Sequence, residues 1–148
     1  MHIFDEWEKV MRSHGIDDGE IKRRIDLAND AFPDALVENY EPLIESLKLN
    51  DPKDRHVLAA AIKTNANIIV TNNLKHFPEE YLATFGLSAK DADNIITDTI
   101  DLNVNRAVEA FRMLVLNKTK PEVDEFEVLE MFRNNGLNQA ADYLHSQI

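Results

Sequence analysis

The chain has 148 residues, 44% of them apolar, and 27 Asp and Glu against 16 Lys and Arg give it a formal net charge of −11. That length suits one compact domain with a real core, while the absence of cysteine excludes disulfides and thiolate zinc sites and points to a reducing compartment. No uninterrupted apolar run reaches membrane-spanning length and no secretory leader is visible, so the expectation is a soluble cytoplasmic protein with no membrane part. The acidic balance sits awkwardly with a nucleic-acid ligand, which calls for a basic footprint. It fits if clustered carboxylates hold divalent cations that reverse the local field, or if the chain docks on a basic partner.

The chain opens inside a helix, with Ile3, Trp7, Val10 and Met11 on one face, Trp7 as a core anchor, and Gly15 as the stop. A second helix places Ile21, Ile25, Ala28 and Phe32 on its apolar side and ends at Pro33. Pro42 to Leu49 reads as a short strand, blurred by Ile44 and Ser46. Asp51 then offers an N-cap, Pro52 the first helical position and Asp54 the third, ahead of the apolar stripe Val57, Leu58, Ala61 and Ile62. Ile68, Ile69 and Val70 form an unbroken β-branched run, the pattern of a strand covered on both faces, followed by the polar Thr71, Asn72 and Asn73.

A helical turn is expected over Pro78 to Leu82, and Asn94 to Ile100 reads equally as strand or extended arm. From Val104 the pattern is helical throughout. Val104, Val108, Phe111 and Val115 space one helix; Val123, Phe126, Leu129 and Phe132 space the next, which Gly136 ends. Leu137, Ala140, Ala141 and Leu144 close the chain. A strand as apolar as Ile68–Val70 needs sheet neighbours and helices on both faces. The sequence supplies few of them, so the expectation is that a leading strand is missing.

Chemistry in α/β domains gathers where strand ends meet helix N-termini. Asp51 and Asp54 on one side, and Thr71, Asn72 and Asn73 on the other, are therefore the candidate site, although the same residues also serve as plain caps and turns. Lys48, Lys53, Arg55, Lys63 and Lys75 surround it in sequence and either steer phosphate or balance surface charge. Asp91, Asp93 and Asp98 are candidate additions to an acidic pocket. His56 and His76 lack a second histidine at ligand spacing and read as ordinary core or surface residues, and His2 and His14 carry little signal.

The run Asp51-Pro-Lys-Asp-Arg-His-Val-Leu-Ala-Ala-Ala61, with Ile69-Val-Thr-Asn-Asn-Leu-Lys-His-Phe-Pro78 after it, resembles the central motifs of PIN-domain nucleases, closest to the VapC-like toxin branch. Ile3-Phe-Asp-Glu-Trp7 resembles that branch's early acidic helix, and the closing helices its C-terminal extension. The resemblance implies an α/β, PIN-like three-layer sandwich with a short parallel sheet, incomplete over residues 1–100 for want of its first strand, plus a helical extension over 101–148. It implies a metal-dependent endoribonuclease using Mg2+ or Mn2+.

Matched position by position, the resemblance makes Glu6, Asp54 and Asn73 metal-holding and catalytic residues. Thr71 matches the orienting hydroxyl and Asp51 a further metal ligand; apart from the matching, Lys53, Arg55 and Lys75 of the basic cluster are the candidates to meet nucleic acid. Two departures stand out: the family's first aspartate, at the end of its first strand, has no counterpart, and His76 stands where the branch usually has Asp. The resemblance thus points to a split domain completed by a small polypeptide that brings the first strand and its Asp. An antitoxin and an RNA substrate are the implied partners. The alternative is a catalytically inactive PIN fold kept as a binding or assembly module, its open sheet edge covered in a homodimer.

Overall fold

The computed structural model describes residues 3–148, so His2 lies outside the described residues. Nine helices and two strands are found among them: α1 (Ile3–Ser13), α2 (Asp18–Ala31), α3 (Glu41–Ile44), α4 (Arg55–Lys63), β1 (Ile68–Val70), α5 (Glu79–Ala83), β2 (Ser88–Lys90), α6 (Ala92–Leu102), α7 (Val104–Leu116), α8 (Glu125–Asn134) and α9 (Asn138–His145). The fold is mixed α/β and mostly helical, as the sequence predicted. The sheet has the order β1-β2. Its hydrogen bonds run from Ser88 N to Asn67 O at 3.0 Å and from Thr71 N to Lys90 O at 2.9 Å, the slanted pattern of a parallel pair.

The chain divides into two compact units, residues 1–69 with 75–88, and residues 70–74 with 89–148. In the first, Gly15, at φ +75°, follows α1 and turns the chain into α2. Asp17 caps α2 by accepting from the N–H groups of Gly19 and Glu20 at 3.0 and 3.1 Å. The core of this unit contains Met11, Ile21, Leu58, Ala59, Phe77 and Leu82, all buried. Trp7 is 38% exposed and Phe32 68% exposed, so neither is the core residue that helical spacing suggested. Trp7 instead stands beside Phe4, with ring centroids 6.2 Å apart.

Residues 42–49 do not form a strand. Pro42 sits in the first turn of α3, where its missing N–H costs nothing. The following Leu47 and Leu49 are buried while Lys48 between them is exposed. That alternation is real, but the Lys48 N–H donates to the Tyr81 hydroxyl at 2.9 Å rather than to a neighbouring strand.

The second unit is built round Ile100, Phe111, Val128, Leu129, Ala140, Ala141 and Leu144. Residues 94–100, whose sequence reads equally as strand or extended arm, belong to α6. Asp91 caps that helix by accepting from the Asn94 N–H at 2.8 Å, and Ile96 and Ile100, four apart, face the core. Within α6 the Thr97 and Thr99 hydroxyls donate to carbonyls four residues back, at 2.8 and 2.7 Å, so neither is left without a partner. A capping box at Asp124 and Glu127 starts α8, and Gly136, at φ +83°, ends it.

Candidate metal and active site

The candidate site lies in the first unit and begins at the approach to α4. Asp51 is extended, and its carboxylate accepts from the Lys53 N–H at 2.9 Å, closing a 3-10 turn over Pro52–Asp54. Asp54 follows in a helical conformation (φ −89°, ψ −5°) and makes no side-chain cap to α4. Its carboxylate is therefore available for other work. His76, at the end of the 3-10 turn Leu74–His76 and next to buried Phe77, donates from Nδ1 to Asp54 Oδ2 at 2.7 Å. Asp51, Asp54 and His76 each bring one ligand atom, and these lie within 4.8 Å of one another. All three side chains are half-buried.

His56 shapes this approach from below. It is buried, and its Nδ1 donates to the Lys53 carbonyl at 2.6 Å, which ties the capping turn to α4. Its Nε2 makes no hydrogen bond and faces Glu6 Oε1 at 3.8 Å. Glu6, half-buried in the first turn of α1, thus addresses His56 and is outside the Asp51–Asp54–His76 trio. Lys53 and Lys75 are exposed; Arg55 is half-buried, and its Nε has no hydrogen-bond partner among the described residues.

Thr71 and Asn73 belong to the second unit, where the Thr71 hydroxyl accepts from the Asn73 N–H at 3.1 Å. Three further acids of that unit have structural work. Asp91 caps α6, Asp93 accepts two backbone N–H groups at the start of α9, and Asp98 pairs with Lys90. They are not free carboxylates waiting for an ion.

Helical spacing and ligand periodicity gave no reason to single out His76, because its partners stand 22 and 25 residues away in sequence. The signal that could have found it was its place in the Asn-Leu-Lys-x-Phe-Pro turn, where an acid was expected. His56 carried a weaker one, since a buried histidine two residues into a helix can reach back to the capping turn.

Two family profiles match the chain: the PIN domain over residues 1–75 and the VapC50 C-terminal domain over residues 92–146. The chain is 38% identical over 90 residues to a protein of Mycobacterium tuberculosis (strain ATCC 25618 / H37Rv) named "Putative ribonuclease VapC50", over 61% of this chain and 50% of that protein. It therefore spans about half the length of that curated relative. No solved structure matches. With the PIN profile covering half of the sequence and the VapC50 profile most of the remainder, the chain belongs to the PIN-domain family, in its VapC-like branch.

Proposed function

We propose that this chain is the nuclease-bearing part of a PIN-domain toxin, cleaving RNA at a divalent-ion site that includes Asp54. The observation that carries the proposal is the convergence of Asp51, Asp54 and His76 at the start of α4, two carboxylates and an imidazole with ligand atoms within 4.8 Å of one another. That donor set suits a divalent cation: hard and borderline ions take carboxylate oxygen, and borderline ions also take imidazole nitrogen. A bound ion would supply an activated water and charge stabilisation at the phosphate being cleaved.

The chain's own residues do the positioning. The capping turn fixes Asp51, the His76 hydrogen bond fixes the rotamer of Asp54, and His56 holds the turn from beneath. Family matching adds Glu6 and Asn73 to the ion-holding set and Thr71 as an orienting hydroxyl. Exposed Lys53 and Lys75, with Arg55, then offer the positive charge that an RNA backbone requires on an otherwise acidic protein.

Two carboxylates and an imidazole make a thinner ligand set than the family's. The proposal therefore includes an extended segment outside this chain that carries a further aspartate and pairs with the free edge of β1. β1 has one strand neighbour among the described residues, and Val70 is 53% exposed. An antitoxin would regulate the assembled nuclease. The competing reading is an inactive PIN fold serving as an assembly module, and the same assay separates the two.

RNA cleavage is measured with the chain alone, and with an added aspartate-bearing strand peptide, in Mg2+ or Mn2+. Active material should lose on the order of a hundredfold in rate with Asp54→Asn, the scale of damage at metal-holding positions. Equal rates for wild type and Asp54→Asn, or no cleavage in any mixture, overturn the nuclease reading and leave the assembly module.

A further inference from the structure

Among the described residues, no lysine or arginine pairs with Asp51, Asp54 or His76, although two of the three are acids. Elsewhere in the molecule many acids are neutralised: Glu20 by Arg23 and Arg24, Asp142 by Arg133, Asp26 by Lys22. The trio thus carries acidic charge that no lysine or arginine among the described residues offsets. It also differs from an all-oxygen magnesium site in one respect, since a third of its donors is nitrogen.

We infer that His76 is a metal ligand and that it makes this site selective for borderline transition ions, such as Co2+ and Zn2+, over Mg2+. The inference rests on the metal reading above and deepens it. Neighbouring ligands on an ion with bonds of about 2.1 Å stand about 3 Å apart. The 2.7 Å between His76 Nδ1 and Asp54 Oδ2 is already close to that spacing. Asp51 completes the set, its ligand atom within 4.8 Å of the other two.

Before any ion arrives, the two donors meet through a single hydrogen bond between half-buried side chains. An ionised carboxylate only accepts, so in the ion-free pair the Nδ1 carries the proton. When Nδ1 becomes a ligand its proton must leave, and Nε2 carries the ring's proton instead. Magnesium gains little from such a nitrogen, because it holds to octahedral oxygen ligation and retains its waters. Affinity for nitrogen-containing sites instead rises from Mn2+ through Co2+ toward the later divalent ions.

The test uses the full chain and the metals alone, with no RNA. Titration calorimetry should show Co2+ and Zn2+ binding on the order of tenfold or more tighter than Mg2+. His76→Asp, which restores an oxygen donor, should collapse that ratio by weakening Co2+ and strengthening Mg2+. Pulsed electron paramagnetic resonance of the Mn2+-loaded wild type supplies a readout that needs no variant to fold. It should show coupling to a directly bonded imidazole nitrogen, absent from His76→Asp. An unchanged Co2+ to Mg2+ ratio in a folded His76→Asp, or Mn2+ bound without nitrogen coupling, overturns the role of His76. Those results leave the nuclease reading standing if Asp54→Asn still abolishes both binding and cleavage. Failure of the wild type to bind any of the ions overturns both.

Discussion

Asp93 offers a sharp test of how the second unit is held together. It lies in the first turn of α6, is 9% exposed, and sends its two oxygens to the start of another helix. Oδ2 accepts from the Gln139 N–H and Oδ1 from the Ala140 N–H, each at 2.9 Å. Those donors are among the four that every helix leaves unpaired at its N-terminus. The residue at the cap position of α9 is Leu137, whose side chain cannot accept. Asp93 therefore performs by tertiary contact the capping that Leu137 cannot.

Asp93→Ala removes two charge-assisted hydrogen bonds, each worth roughly 1.5–3 kcal/mol, and strands two backbone donors in a site that water reaches poorly. Water at the rim recovers part of this, leaving a loss of about 3 kcal/mol. At about 3 °C per kcal/mol for a chain of this size, the melting temperature should fall by about 9 °C. Asp93→Asn keeps one acceptor and should lose about half as much. Asp98→Ala breaks only the exposed pair with Lys90 and should cost less than about 1 kcal/mol. Urea and thermal unfolding followed by far-ultraviolet circular dichroism read all three. An Asp93→Ala protein within about 1 kcal/mol of wild type would refute the reasoning, because it would mean that α9 does not depend on this carboxylate.

Other predictions concern single residues. The Glu20 carboxyl is held down to about 2 by hydrogen bonds from Arg23 and then Arg24. A depressed folded value means that its contribution to stability is present above about 4.5 and fades as the pH falls from there toward 2. In urea titrations the gap between wild type and Glu20→Gln should accordingly narrow through that window; a gap constant from pH 6 to pH 3 contradicts it. Gly136 has φ +83° and open space where a Cβ would go. Gly136→Ala should therefore cost about 1–2 kcal/mol from left-handed strain alone, and Gly136→Asn noticeably less, in the same unfolding assay.

The sequence was most legible where local chemistry and tertiary packing agreed. The capped turn at Asp51, the β-branched run of β1, the stops at Gly15 and Gly136 and the three closing helices were all readable, because each is set by its own residues. Reading failed where a partner remote in sequence decides the outcome. Pro42–Leu49 alternates like a strand, yet its Lys48 N–H is taken by Tyr81. Ile95, Ile96, Thr97, Thr99 and Ile100 favour a strand in isolation, yet the Asp91 cap and the core face of Ile96 and Ile100 make them a helix. β2, only Ser88-Ala-Lys90, has no strand-like composition and exists because β1 gives it a ladder partner.

The site followed the same rule. Asp51 and Asp54 announced themselves three residues apart, as caps do. His76 reads in sequence as an ordinary histidine in an acid's place, because its meaning comes from Asp54, 22 residues away and brought to it only by folding. Asp93 reads in sequence only as a candidate for an acidic pocket, because nothing local to it shows that α9 lacks a cap of its own.

The central claim is that Asp51, Asp54 and His76 together hold a divalent ion. Anomalous diffraction from crystals of the full chain soaked in Mn2+ tests it most directly. A peak is expected about 2.2 Å from a carboxylate oxygen of Asp54 and a ring nitrogen of His76. At saturating Mn2+, an empty trio in a crystal that leaves it open to solvent, or manganese bound only elsewhere on the chain, would contradict it.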